Sequence, residues 1–149
     1  MESKRCENIE LKAEPAGEFT ALVSSFNKPD KYGDVVKPGA FTASIAAWRA
    51  KGANLPVIYA HQAQDITQHV GHVEPADLFE SSAGLVAHGL FYLAEPTALK
   101  VFHQLQRKAL TEWSFGYIVQ KAKPLGNGGR ELQQLDLVEH PLERGVRRL

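Results

Sequence analysis

The residues with the clearest potential for chemistry are one serine and a scattered set of histidines. Ser114 lies in the segment TEWSFGY, residues 111–117. With the two-residue period of a β-strand, the three aromatic side chains of this segment share one face, and Ser114 shares the other with Gly116. A strand with large aromatic side chains on its core face and small residues on its other face can place a serine hydroxyl in the floor of a groove. The pattern admits a nucleophilic serine, and it equally admits an ordinary small residue on an exposed strand.

A serine hydroxyl is a weak nucleophile until a base removes its proton, and that base is commonly a histidine. Among the six histidines, His61 differs because it follows the apolar run LPVIYA, where the chain turns polar. A side chain at such a junction is held by a rigid strand and still reaches solvent. His103 adjoins the apolar face of a predicted helix and His88 alternates with apolar strand residues, so both are predicted to be structural. His61 is the candidate base.

A metal site is the competing interpretation of the same histidine. His61, Asp65, His69 and His72 fall in one short segment, and zinc requires three or four convergent ligands. However, His69 and His72 are three residues apart and would face opposite sides of a strand, and no HExxH motif is present. The sequence therefore predicts no metal ligands and no cofactor.

Composition limits the class of protein. The 149 residues are 44% hydrophobic, which fits one domain over residues 1–149 with a real core. The 17 basic and 17 acidic residues cancel, so no net charge favours a nucleic acid or a membrane as partner. One cysteine, Cys6, excludes an internal disulfide and agrees with a reducing cytoplasm. Without a long apolar run or a signal-peptide core, we expect a soluble protein that stays inside the cell.

Many short strands and two isolated helices predict an α+β fold that is mainly β: an antiparallel sheet or barrel of about six to eight strands with two or more surrounding helices. Apart from a strand at residues 9–13, the first 17 residues are expected to be flexible, and residues 141–149 to be a short basic tail. Strands are predicted at residues 9–13, 18–26, 55–60, 69–74, 84–93, 111–121 and 132–138, and helices at residues 38–52 and 95–110.

Three segments in order resemble the prohead (procapsid maturation) serine proteases of tailed phages, which are similar to the herpesvirus assemblins. The first is DKYGDVVKPGAF, residues 30–41. The second is LPVIYAH, residues 55–61, followed by VGHV at residues 70–73. The third is LTEWSFGY, residues 110–117. The resemblance runs from about Glu18 to the end of the chain, and it implies an assemblin-like fold.

The resemblance implies catalytic roles for three residues: Ser114 as nucleophile, His61 as general base and Glu139 as the third member. The family commonly follows that glutamate with a small apolar residue and serine, whereas His140 and Pro141 follow it here. Assemblins use a second histidine in the third role, so His140 competes with Glu139, and Asp136 is a weaker competitor.

The implied activity is that of a serine endopeptidase that processes phage capsid and scaffold proteins, and itself, during prohead maturation. The implied substrate is the scaffolding segment of the major capsid protein, cleaved inside the assembling procapsid in the host bacterial cytoplasm. Self-association as a dimer or larger oligomer is also implied, and we expect the family's longer C-terminal extension to be absent. The alternatives are an inactive assembly factor of the same fold, or a metal-dependent hydrolase using His61, His69 and His72.

Overall fold

A computed structural model describes residues 2–5, 8–11, 17–59, 65–109 and 114–138. This part of the chain contains nine strands and two α-helices, besides one short 3-10 helix at Ile66–Gln68. The helices are α1 (Thr42–Lys51) and α2 (Pro96–Gln106). The strands are β1 (Glu2–Arg5), β2 (Asn8–Leu11), β3 (Glu18–Ser25), β4 (Val35–Val36), β5 (Leu55–Ile58), β6 (His69–Glu80), β7 (Gly84–Phe91), β8 (Ser114–Pro124) and β9 (Arg130–Leu137).

The strands form two sheets that share one hydrophobic core. The five-stranded sheet has the order β2-β3-β7-β6-β5, and the four-stranded sheet has the order β1-β8-β9-β4. Every named pair is antiparallel except β4 with β9, which is parallel. Phe19 and Leu85 from the first sheet and Tyr117 and Leu135 from the second are buried in the same cluster. The predicted mainly-β α+β fold is confirmed.

Helix α1 joins the two sheets, because it packs against β6 in one and β9 in the other. Its buried residues attach it to the end of β9: the Trp48 Nε1–H donates to the Leu137 carbonyl at 3.1 Å, and the Leu137 N–H donates to Ser44 Oγ at 2.9 Å. The helix ends at Lys51 and is capped by Gly52, the predicted stop, in the left-handed conformation with φ +69°.

The predicted start of α1 at Pro38 is wrong by four residues. Residues 38–41 form a turn instead, and the carboxylate of Glu80 holds it, accepting from Gly39 N–H at 2.8 Å and from Phe41 N–H at 2.9 Å. Main-chain N–H groups at a helix start lack partners within the helix. Here the Glu80 carboxylate, at the far end of β6, is the acceptor for such N–H groups. Phe41 is fully buried next to this carboxylate.

Helix α2 begins at Pro96, as predicted, and buries the predicted face of Ala98, Val101, Phe102 and Leu105. The Phe102 ring meets the Phe91 ring edge-on, with centroids 5.7 Å apart. The helix ends at Gln106 rather than at residue 110. Neither helix in the described ranges is long and apolar enough to cross a membrane.

Strand β6 is longer than predicted. It was predicted to end at residue 74, but it continues through Pro75 and Asp77 to Glu80. Its pairing with β7 shifts between Val73 and Leu78, so the intervening residues bulge out of the ladder. The bulge accommodates the strand-breaking residues, and Leu78 returns to the core beyond it.

The loop at residues 27–34 is fastened to the turn between β8 and β9. The Asp34 side chain is 6% exposed, and its carboxylate accepts from Arg130 main-chain N–H at 2.9 Å and from Arg130 Nη2 at 2.7 Å. A side chain at Gly129 would collide with the Gly33 carbonyl. The first of the three sequence motifs therefore builds the scaffold, because its buried Asp34 joins two segments that are far apart in sequence.

Replacing Asp34 with alanine should lower the free energy of unfolding by about 2 kcal/mol, since the Arg130 guanidinium and main-chain N–H lose their shared acceptor. Urea unfolding followed by tryptophan fluorescence measures this change. The control is Lys123→Ala, which removes a 2.8 Å ion pair with Glu131 from a lysine that is 60% exposed and should cost less than about 0.5 kcal/mol. Equal losses in the two variants would contradict the structural role of Asp34.

Candidate active site

Ser114 is the first residue of β8. Farther along this strand, Tyr117 is 1% exposed and Ile118 is 43% exposed. The alternation predicted from the sequence is thus confirmed for the described side chains, with an aromatic residue turned into the core. Ser114 precedes Tyr117 by three residues on this strand. Residues 111–113, where the strand was predicted to begin, lie outside the described residues.

Strand β9 lies along one edge of β8 near Ser114. Tyr117 pairs with Leu137, and the Val138 N–H donates to the Gly116 carbonyl at 3.2 Å. Gly116, the acceptor of this hydrogen bond, is two residues from Ser114 along β8. Glu139 and His140, the competing candidates for the third catalytic position, follow Val138 directly in the sequence and lie outside the described residues.

Asp136, the weaker candidate, has a partner elsewhere. It pairs with Ile118, four residues from Ser114, which corresponds to about 13 Å along a strand. Its carboxylate accepts from Gln120 Nε2 at 2.6 Å. The Asp136 carboxylate is therefore bonded to a residue of β8 that lies farther from Ser114 than Ile118 does.

His61 lies outside the described residues, but the chain on both sides of it is anchored. Strand β5 ends at Ile58, two residues before the predicted end, where Ile58 pairs with His69 of β6. After the gap, the Asp65 carboxylate accepts from Thr67 N–H at 3.0 Å and from Thr67 Oγ1 at 2.6 Å, capping the 3-10 helix. These hydrogen bonds, above all the one from the Thr67 hydroxyl, lower the pKa of Asp65.

Three further histidines have local neighbours. His72 Nδ1 lies 2.7 Å from the Tyr92 hydroxyl, and His88 Nδ1 lies 2.7 Å from the Thr20 hydroxyl. The ring of His103 lies 6.4 Å from the ring of Phe102 on α2. Desolvation raises the pKa of Tyr92. Within the described ranges, no group of three histidine, cysteine or acidic residues could hold a metal ion.

The sequence analysis missed one element beside the candidate nucleophile. Strand β1 pairs with β8 and sets Arg5 opposite Ser114. Its sequence, ESKR, is entirely polar and lacks the apolar alternation by which strands are identified. No signal in the sequence marks it as a strand.

Comparisons with known proteins agree with the sequence motifs. The profile of the caudovirus prohead serine protease family matches residues 7–140, which include Ser114, His61 and Glu139. Among solved structures, the fold is similar to that of the bacteriophage T4 capsid assembly protease, gp21, with a TM-score of 0.64 over 98% of this chain and 94% of that chain. Their sequences are 9% identical, so this likeness concerns the fold alone. No curated protein matches the sequence.

Replacing Thr67 with valine should raise the pKa of Asp65 towards its ordinary value, because the hydroxyl donor is lost while the main-chain donor remains. NMR titration of the Asp65 carboxyl carbon measures the change. Since the folded-state pKa is lowered, the cap stabilises the protein above the unfolded pKa, and this contribution is lost as the pH falls through the folded pKa.

Gln68→Ala is the control for this titration, because Gln68 has only a lesser effect on the Asp65 pKa. A larger pKa rise in Gln68→Ala than in Thr67→Val would contradict the assignment of the cap to Thr67.

Proposed function

This chain belongs to the caudovirus prohead serine proteases, and from that premise we propose that Ser114 is its nucleophile, His61 its general base and Glu139 the residue that orients His61. The chain is a serine protease that processes capsid proteins during prohead maturation. The observation that carries the residue assignment is the position of Ser114. It begins β8, three residues before the buried Tyr117, within a segment that resembles the family's catalytic-serine motif.

The proposed chemistry is acyl transfer. The Ser114 hydroxyl attacks a peptide carbonyl while His61 accepts the hydroxyl proton. His61 then returns a proton to the leaving amine, and water hydrolyses the resulting ester as His61 again acts as base. Gly116, two residues along the strand, supports this role because the absence of a side chain allows a substrate chain to approach closely.

Glu139 is proposed as the third member because a carboxylate both orients the imidazole and stabilises its cationic form. The hydrogen bond from Val138 N–H to the Gly116 carbonyl supports a residue immediately after β9, since it joins that end of β9 to β8 near Ser114. His140 meets the same positional requirement. Asp136 is less well supported because its carboxylate is bonded to Gln120.

The proposed substrates are the scaffolding segment of the major capsid protein and the protease chain itself. Cleavage takes place within the procapsid, which we propose assembles in the host cytoplasm. Self-association is proposed to accompany activity, as the resemblance to assemblins implies.

Replacing Ser114 with alanine should lower capsid-protein processing by at least about 10³-fold, because no nucleophile remains for the acyl-enzyme step. The measurement is the intact mass of capsid protein co-expressed with each protease variant. Ser82→Ala, in the exposed turn between β6 and β7, is the matched serine control and should process normally.

Processing by Ser114→Ala at the wild-type rate would exclude this residue as nucleophile. Loss of processing in wild type on adding a chelator, with stoichiometric metal in the purified protein, would favour the metal-dependent alternative instead.

Replacing Glu139 with glutamine should lower kcat by about 10²- to 10⁴-fold if its carboxylate orients His61, while His140→Gln and Asp136→Asn should retain most of their activity. Cleavage of a capsid-derived peptide by the purified proteins measures these effects. A large loss in His140→Gln with near-normal cleavage by Glu139→Gln would transfer the third role to His140.

A further inference from the structure

The edge of β8 opposite β9 is occupied by the chain's own N-terminal strand. The pairing is antiparallel and begins at the proposed nucleophile. The facing residues are Arg5 with Ser114, Lys4 with Phe115, Ser3 with Gly116, and Glu2 with Tyr117. An extended peptide that joined this sheet next to Ser114 would need the same position.

The pairing of β8 with β9 shows which main-chain groups of β8 point towards β1. Because the Gly116 carbonyl accepts from Val138 N–H, the main-chain polar groups of Gly116 point towards β9. In an antiparallel strand the N–H and carbonyl of one residue point to the same edge, and successive residues alternate between edges. The polar groups of Phe115 and Tyr117 therefore point towards β1.

This direction distinguishes two kinds of position on β1. Lys4 faces Phe115 in a hydrogen-bonded pair, whereas Ser3 faces Gly116 in a pair without hydrogen bonds. Arg5 and Ser114 also form a pair without hydrogen bonds. In such pairs the facing Cα atoms are about 4.5 Å apart, so a strand at this edge passes its main chain close to Ser114.

The sequence of strand β1 offers no apolar side chain to anchor it. It is a four-residue strand at the edge of its sheet, and its sequence ESKR contains no apolar residue. In contrast, β9 on the other edge of β8 buries Leu132, Leu135 and Leu137. Because apolar burial is the main source of strand stability, β9 is firmly held and β1 is the neighbour that can be displaced.

We propose that the edge of β8 from Ser114 to Tyr117 is the docking edge for the extended segment of a protein substrate, and that β1 occupies this edge until substrate displaces it. The inference rests on the proposed role of Ser114. Phe115 and Tyr117 offer main-chain donors and acceptors to any extended chain, which is how strand addition recognises peptides. The N-terminal segment thus competes with the substrate at the proposed active site.

The two neighbouring positions on β1 provide a matched test. Proline lacks an N–H, so Lys4→Pro removes a bond to β8, whereas Ser3→Pro removes an N–H that points away from it. Lys4→Ala controls for the lost charge. All three changes are made in full-length Ser114→Ala protein, so that binding is measured without cleavage, and the probe is a synthetic peptide of residues 1–8 carrying Cys6→Ser.

We expect this peptide to bind Lys4→Pro about fivefold more tightly than Ser3→Pro or Lys4→Ala. The main-chain amides of Phe115 and Tyr117 should exchange faster with deuterated water in free Lys4→Pro, and the peptide should restore their protection. In protein that retains Ser114, Lys4→Pro should process capsid protein a few-fold faster than Ser3→Pro does.

Equal peptide affinity and equal exchange in the two proline variants would overturn the proposal. So would faster exchange in Lys4→Pro that added peptide does not reverse. Because exchange and binding are measured without Ser114, they remain decisive even if cleavage proves to use a different nucleophile. In that event, the docking edge is retained and the Ser114 assignment is lost.

Discussion

The pairing of β8 with β9 is the constraint on which the site depends. Tyr117 is buried on the core side of β8 and pairs with Leu137, and α1 holds Leu137 through hydrogen bonds to both its main-chain groups. This arrangement fixes the register of β8, and with it the position of Ser114 at the start of the strand. It also fixes which main-chain groups of β8 remain directed towards the opposite edge.

The motifs that resemble the prohead proteases have different physical roles. In the first motif, Asp34 binds Arg130 from a buried position and Phe41 fills the core beneath the carboxylate of Glu80. These contacts hold the scaffold together and perform no chemistry. The strand that precedes His61 and the strand that begins with Ser114 belong to different sheets. The family's sequence signature therefore combines residues that build the fold with residues proposed to act on substrate.

Local patterns predicted much of this fold. The buried face of α2 and the alternation around Tyr117 follow from side-chain periodicity, which acts within one element. The start of α1 depends on Glu80, which is about forty residues away in sequence, and the length of β6 depends on a bulge opposite β7; neither has a local signal. Strand β1 was missed because main-chain pairing alone identifies it. For the site, periodicity placed Ser114 on a strand face, while its role and that of Glu139 came from the family resemblance.

The most direct test of the account is covalent labelling of the nucleophile. Full-length protein is treated with a fluorophosphonate that esterifies activated serines, and the adduct is located by peptide mass spectrometry. The account predicts one adduct per chain, on Ser114, and at least about a 10³-fold slower reaction in His61→Ala because the hydroxyl loses its base. Labelling at another serine, or equal labelling rates in His61→Ala and wild type, would contradict it.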